Sequence, residues 1–142
     1  MKYEKAEMIY DCVRHKDIMV FDINTKLVPN KVYKRVKAEF PNLHKLLVQL
    51  SVNDQLKMGS SLVVDIGGYT FGILVTQHTP YGNSADDSDV VNKSTMQALT
   101  HLFSRDLDKT FVSGILNRGH SNWEVLANFI RNRTNEWLIY TE

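Results

Sequence analysis

Three separated segments carry the side chains able to do chemistry: Asp22-Ile23-Asn24-Thr25, the stretch from Gln77 through Tyr81 to Asn83, and Ile115 to Ser121. Together they offer carboxylate, amide, hydroxyl, aromatic and guanidinium groups. A nucleotide or sugar phosphate is recognised by that mixture, with a planar stacking partner, polar contacts to ribose and N–H donors for phosphate. The third segment is the most telling. Lys109-Thr110-Phe111-Val112-Ser113 reads as a strand, a Gly-containing polar loop follows, and Ser121 with Glu124 has the capping-box spacing that opens a helix. Backbone N–H groups at a helix N-terminus and the positive end of the helix dipole attract an anion. His120 in this loop has the chemistry of a general acid or base, and Asp22 at a strand end that of a base. A solvent-facing histidine and a turn or cap carboxylate are the plain alternatives.

Nucleophilic catalysis finds little support. The chain has no Gly-x-Ser-x-Gly elbow, no Walker sequence and no Gly-x-Gly-x-x-Gly, and Gly67-Gly68 is explained by a turn. Asp86, Asp87 and Asp89 would suit a hard cation, but they immediately precede a helix, where acidic charge is favourable in its own right. The single cysteine, Cys12, excludes an internal disulfide and a Cys-based zinc cluster. The histidines at 15, 44, 78, 101 and 120 show no metal-like pairing, so neither metal nor cofactor is expected.

The elements that must position these groups follow from periodicity. Two strands are expected near Lys2 to Tyr10 and Asp17 to Asp22, the second a buried apolar run and the first an edge. Val32, Val36 and Phe40 fall four apart, giving a helix from about Asn30 that Pro41 stops, and Leu43, Leu46, Leu47 and Leu50 share the face of a second helix. Ser61 to Val64 and Tyr69 to Thr76 flank Asp65-Ile66-Gly67-Gly68 and predict a hairpin. The polar stretch from His78 to Asp87 reads as a binding loop. A helix is expected near Ser88 to Arg105 with Met96, Leu99 and Phe103 on one face, then a helix striped by Trp123, Leu126, Ala127 and Ile130, and a last strand at Trp137 to Tyr140. The alternation argues for α/β layers with helices on both faces of a mixed sheet.

Length and composition bound the rest. A chain of 142 residues, 43% hydrophobic and 23% charged, is one ordinary domain spanning 1–142. The net charge of +1 leaves no general nucleic-acid-binding patch, and the basic residues between Lys31 and Lys45, diluted by Glu39, read as a solvated helix face. With no signal-like start and no apolar run of spanning length, a cytoplasmic protein without a membrane partner is expected.

Element order and several local patterns resemble the macrodomain family, particularly its small single-domain type that removes ADP-ribose from proteins. The likeness covers most of the chain. Asn24-Thr25-Lys26-Leu27-Val28-Pro29-Asn30-Lys31-Val32 parallels the family's Asn-x-x-Leu-x-Gly-Gly-Gly-Val, and Ser121-Asn122-Trp123-Glu124 parallels the Trp-Glu helix after its glycine-rich phosphate loop. The Phe40 to Leu47 run and the hairpin also match in position. The resemblance implies a three-layer α/β/α sandwich with a mixed central sheet, and ADP-ribose or a related nucleotide as ligand. It implies Asp11 for the adenine amino group, Asn24 for the distal ribose, Tyr81 over the ligand, and the backbone of Ile115, Leu116, Asn117, Arg118 and Gly119 for the phosphates.

The departures concern catalysis. Pro29, Asn30 and Lys31 stand where the family has glycines, and proline removes an N–H donor. Gln77 stands where the glycohydrolase type has Lys, and an amide nitrogen is not nucleophilic. Gly119 stands at the position of its catalytic Asp. Three readings remain open: a binder with degenerate catalytic positions; a hydrolase using Asn24 and a water positioned by Asp22 or His120, with an ADP-ribosylated protein or nucleic acid as partner; and a ligand-free interaction module. Compact length and near-neutral charge also suit a small viral or bacterial factor acting on ADP-ribose signalling.

Overall fold

The computed structural model describes residues 1–5, 17–79, 86–105, 110–133 and 136–141. In chain order these form β1 (Lys2–Lys5), β2 (Asp17–Asn24), α1 (Lys31–Glu39), α2 (Pro41–Val52), β3 (Ser61–Ile66), β4 (Tyr69–Gln77), α3 (Ser88–Phe103), β5 (Thr110–Ser113), α4 (Trp123–Arg131) and β6 (Trp137–Thr141). One six-stranded sheet has the order β1-β6-β5-β2-β4-β3. Every neighbouring pair is parallel except the hairpin β3–β4, so the sheet is mixed, as expected. No described helix is long and apolar enough to cross a membrane.

Strand β2 explains the layering. Its residues alternate between two apolar clusters because successive side chains of a strand point to opposite faces. Met19, Phe21 and Ile23 join Tyr33 and Val36 of α1 and Leu43 and Leu47 of α2. Ile18 and Val20 join Leu99 and Leu102 of α3 and Leu126 and Ile130 of α4. Such a strand is apolar on both sides, hence the unbroken run Ile18-Met19-Val20-Phe21. The result is the expected three-layer α/β/α sandwich.

Pro41 does more than end a helix. It occupies the first turn of α2, where its missing N–H costs nothing, while Phe40 is at once the C-cap of α1 and the N-cap of α2. The Phe40 ring packs edge-on against Tyr69 and Phe71 and lies beside Gly67. Gly67 and Gly68 have φ of +62° and +82°, so the hairpin turns through two left-handed residues, which only glycine adopts without strain.

Two expectations are adjusted. Strand β1 ends at Lys5, with residues 6–16 outside the described set, and it lies at the sheet edge beside β6. The buried seam of α3 runs through Val91, Thr95, Ala98, Leu99 and Leu102, leaving Met96 and Phe103 only partly covered. Polar Thr95 belongs to this seam because its hydroxyl is bonded, which hydrophobic periodicity cannot register.

The α1–α2 pair is further tied by Tyr33, whose hydroxyl lies 2.6 Å from His44 Nδ1. Burial pushes the Tyr33 hydroxyl up to about 12. Burial, with Lys37 adding to it, holds His44 below its ordinary value, so the neutral ring accepts the tyrosine proton. A histidine whose folded pKa lies below its unfolded one contributes stability that is present above the unfolded value and lost as pH falls through the folded value. Wild type is therefore expected to lose urea resistance between about pH 7 and about pH 5, and His44→Gln to lose less over that interval. Equal losses in the two proteins would contradict this account of the pair.

Candidate functional site

Strand β2 lies between β5 and β4. The chain leaves β2 along one face through α1 and α2, returns in the hairpin, and leaves β4 along the other face through α3 to reach β5 on the far side. At such a reversal of strand order the loops beyond the carboxyl ends diverge and leave a crevice, the usual ligand position of an open α/β sheet. Of the three segments singled out for chemistry, Asp22 to Asn24 closes β2, Gln77 closes β4 and Ile115 to Ser121 follows β5, so the fold brings these residues to one edge.

Asn117 organises the crevice. It has φ of +52°, a left-handed conformation tolerated by Asn better than by most residues, and it is 2% exposed. Its Oδ1 accepts from the Thr76 hydroxyl at 2.6 Å, and its Nδ2 donates to Thr95 Oγ1 at 2.7 Å. Thr95 in turn donates to the Val91 carbonyl at 2.7 Å. The order of donors is thus determined: since Thr95 gives its proton away, it must receive one from the Asn117 amide. Asn24 of β2 aligns with Gln77 of β4 across a register shift that passes over Thr76.

Asp22 sits at the end of β2. Its Oδ1 accepts the backbone N–H of Asn117 at 3.1 Å, and its Oδ2 accepts Asn30 Nδ2 at 3.1 Å. Asn30 also donates to the Asp22 carbonyl at 2.8 Å, while its own Oδ1 caps α1 by accepting from Tyr33 N. Burial raises the Asp22 pKa, against the opposing effects of the Asn117 N–H, the charge of His120 and Asn30. Burial prevails, so Asp22 holds its proton more readily than a surface aspartate.

The β5–α4 loop departs from expectation. The capping box does not form: α4 starts at Trp123 with Asn122 as N-cap and no side-chain cap bond. Ser121 instead shares its hydroxyl between the Leu116 and Asn117 carbonyls at 3.2 and 3.3 Å. Both carbonyls belong to buried residues; that of Asn117 also accepts the His120 N–H, so it is the Leu116 carbonyl that draws the hydroxyl away from the helix. Glu124 remains in the first turn of α4, where its charge suits the dipole.

The expected phosphate loop also divides in two. Leu116 is a core residue packed in the α3–α4 cluster, and the Asn117 N–H is already bonded to Asp22. Arg118 and Gly119 are exposed, and their backbone N–H groups donate to nothing among the described residues. Ile115 is partly buried against the same cluster, and Gly119 has φ of +83°. The Asn117 donor is thus already engaged, while Arg118 and Gly119 present unpaired donors at the exposed end of the loop.

Asn24 is 6% exposed, and its carboxamide is engaged locally. Its Oδ1 accepts from Lys26 N at 3.1 Å and Val28 N at 3.0 Å, and its Nδ2 donates to the Val28 carbonyl at 2.9 Å. Both oxygen lone pairs and one N–H thus hold the β2–α1 loop, where Leu27 has φ of +57°. The carboxamide of Asn24 is therefore committed largely to this loop, with one amide hydrogen outside these bonds. Gln77 is 5% exposed; its carbonyl accepts from Thr25 N at 2.9 Å, and its side-chain Oε1 has no partner among the described residues. His120 is exposed, its N–H donating to the Asn117 carbonyl at 2.8 Å. Asp11 and Tyr81 lie outside the described residues.

The acidic group at α3 is engaged by backbone. Asp87 is the N-cap, accepting from Val90 N at 2.9 Å, and Asp86 accepts from His78 N at 2.7 Å. Sequence reasoning missed Thr76, Thr95 and Asn30. For Asn30 a signal existed, since Asn just before a helical pattern is a strong N-cap. The threonines carry no such mark.

No protein-family sequence model matches the chain, nor does any curated protein. Its backbone is that of a macrodomain fold. The macrodomain of Mycobacterium tuberculosis DarG superposes with a TM-score of 0.76 at 14% identity, covering 99% of this chain and 97% of that one. The macrodomain of Thermus aquaticus DarG gives 0.72 at 13% identity, with 98% and 95% covered. Thermosipho africanus DarTG in complex with ADP-ribose gives 0.74 at 13% identity, covering 97% of this chain and 40% of that one. At these identities the likeness is one of fold.

The Asn117 network yields a graded expectation. Asn117→Gly keeps the left-handed backbone and loses the two side-chain bonds, whereas Asn117→Ala loses both. Orphaning the buried Thr76 hydroxyl costs about 1–3 kcal/mol. Alanine in left-handed backbone adds about 1–2 kcal/mol. Denaturant titration should therefore rank wild type above Asn117→Gly and Asn117→Gly above Asn117→Ala; alanine equal to glycine would remove the backbone part of the argument.

Proposed function

We propose that this chain binds ADP-ribose or a related nucleotide derivative in the crevice at the carboxyl ends of β2, β4 and β5, and does not turn it over. The observation that carries the reading is the loop after β5, anchored by Asn117 and presenting the unpaired N–H groups of Arg118 and Gly119 at a reversal of strand order. Such donors suit phosphate oxygens. A protein of the same fold in complex with ADP-ribose supports the choice of ligand.

The absence of turnover rests on the catalytic positions. Asn24 holds its own loop, and Gln77 and Gly119 replace the Lys and Asp of the glycohydrolase type. One observation favours a second reading as a hydrolase. Burial raises the Asp22 pKa and the charge of His120 acts on it, which places a carboxyl group and an imidazole together as proton donor and acceptor.

Thermal unfolding with ADP-ribose tests the binding. At a hundred times the dissociation constant the ligand is expected to add about 2.7 kcal/mol of stability, and no shift at millimolar ligand would sink both nucleotide readings in favour of a ligand-free module. Incubation with an ADP-ribosylated protein or oligonucleotide separates the other two. Intact substrate is expected; release that disappears in Asp22→Asn or His120→Gln would establish the hydrolase instead.

A further inference from the structure

We propose that the Asp22 carboxylate is a competing anion built into the crevice, so that a phosphate-bearing ligand reaches the inner part of the β5–α4 loop only when Asp22 is neutralised or displaced. The inference rests on the binding reading above and concerns the regulation of that same site. Its basis is geometric. A buried residue of the loop, Asn117, donates its N–H to Asp22 Oδ1 at 3.1 Å, and the other carboxylate oxygen accepts from Asn30 at 3.1 Å.

Neither partner of that bond is free to turn away. Asn117 is fixed through Thr76 of β4 and Thr95 of α3. Asp22 is flanked in β2 by Phe21 and Ile23, both buried, and its carbonyl is bonded to Asn30. An incoming phosphate oxygen and the ionised Asp22 would therefore seek the same N–H, and two negative groups in a partly buried site repel. A carboxyl group that has taken up a proton gives up its claim as an anion and can itself donate to a phosphate oxygen.

Binding of the anion is then linked to proton uptake. The raised pKa of Asp22 agrees with this, since burial already disfavours the charge that the ligand would disfavour further. His120 is the titratable group whose charge acts on Asp22; the remaining groups on the carboxylate, the Asn117 N–H and the Asn30 carboxamide, are neutral. His120 in its charged form stabilises the ionised Asp22 and also attracts a ligand phosphate, so its contribution must be removed separately.

The experiment measures ADP-ribose affinity by calorimetry in wild type, Asp22→Ala, Asp22→Asn and His120→Gln, in buffers of different ionisation enthalpy. Asp22→Ala is expected to bind about tenfold or more tightly than wild type at neutral pH, and Asp22→Asn to move in the same direction. Wild type and His120→Gln are expected to take up protons on binding and to tighten as pH falls from neutral, whereas both Asp22 variants respond less. Two substitutions guard against a folding defect in either one. Wild-type binding that is equalled by or stronger than that of both Asp22 variants, with unchanged proton uptake, overturns the inference and leaves the binding reading standing. Absence of binding in all four proteins overturns the binding reading and the inference with it.

Discussion

The bonds made by Asn117 are the constraint on which the crevice depends. A carboxamide in left-handed backbone, 2% exposed, joins the end of β4 through Thr76, the middle of α3 through Thr95, and the end of β2 through its own N–H. These elements meet nowhere else through a single residue among the described bonds. Because Thr95 gives its proton to the Val91 carbonyl, it must accept from Asn117 Nδ2, and the Thr76 hydroxyl donates to Asn117 Oδ1, so the network has one orientation. The β5–α4 loop inherits its shape from that arrangement, and with it the direction of the Arg118 and Gly119 N–H groups.

A second consequence is electrostatic. Glycine-rich phosphate loops are permissive because nothing but backbone surrounds the anion. Here the loop is pinned by the Asn117 side chain, and a carboxylate lies against one of its backbone donors. A side chain has the same double use at the start of α1, where Asn30 caps the helix and reaches Asp22 at once. On a macrodomain fold, the crevice is thus lined by bonded side chains as well as backbone.

Much of this was legible in the sequence and some was not, for identifiable reasons. The Gly67-Gly68 turn, the Pro41 junction and the apolar run of β2 each announce themselves locally, because turn chemistry, missing N–H groups and burial act on adjacent residues. Asp22 and Asn117 were placed in the correct segments, but the bond between them joins residues 95 apart, and no spacing rule reaches that far. Ser121 and Glu124 have the spacing of a capping box, but the Ser121 hydroxyl is drawn upstream to the carbonyls of the buried residues Leu116 and Asn117. Thr95 and Asn92 lie within α3 as buried polar residues, invisible to a reading that equates burial with apolar side chains.

The Phe40-Pro41 junction bears on which length changes the chain can absorb. With one residue serving as the end of α1 and the start of α2, there is no connecting loop to lengthen, and the same ring rests beside Gly67 and against Tyr69 and Phe71. An added residue there would rotate α2 by about 100° about its axis and carry Leu43 and Leu47 off the sheet. Insertions that enlarge or diversify the rim of the crevice must therefore arise outside this helix pair, which makes the α1–α2 layer the dimensionally rigid wall of the domain.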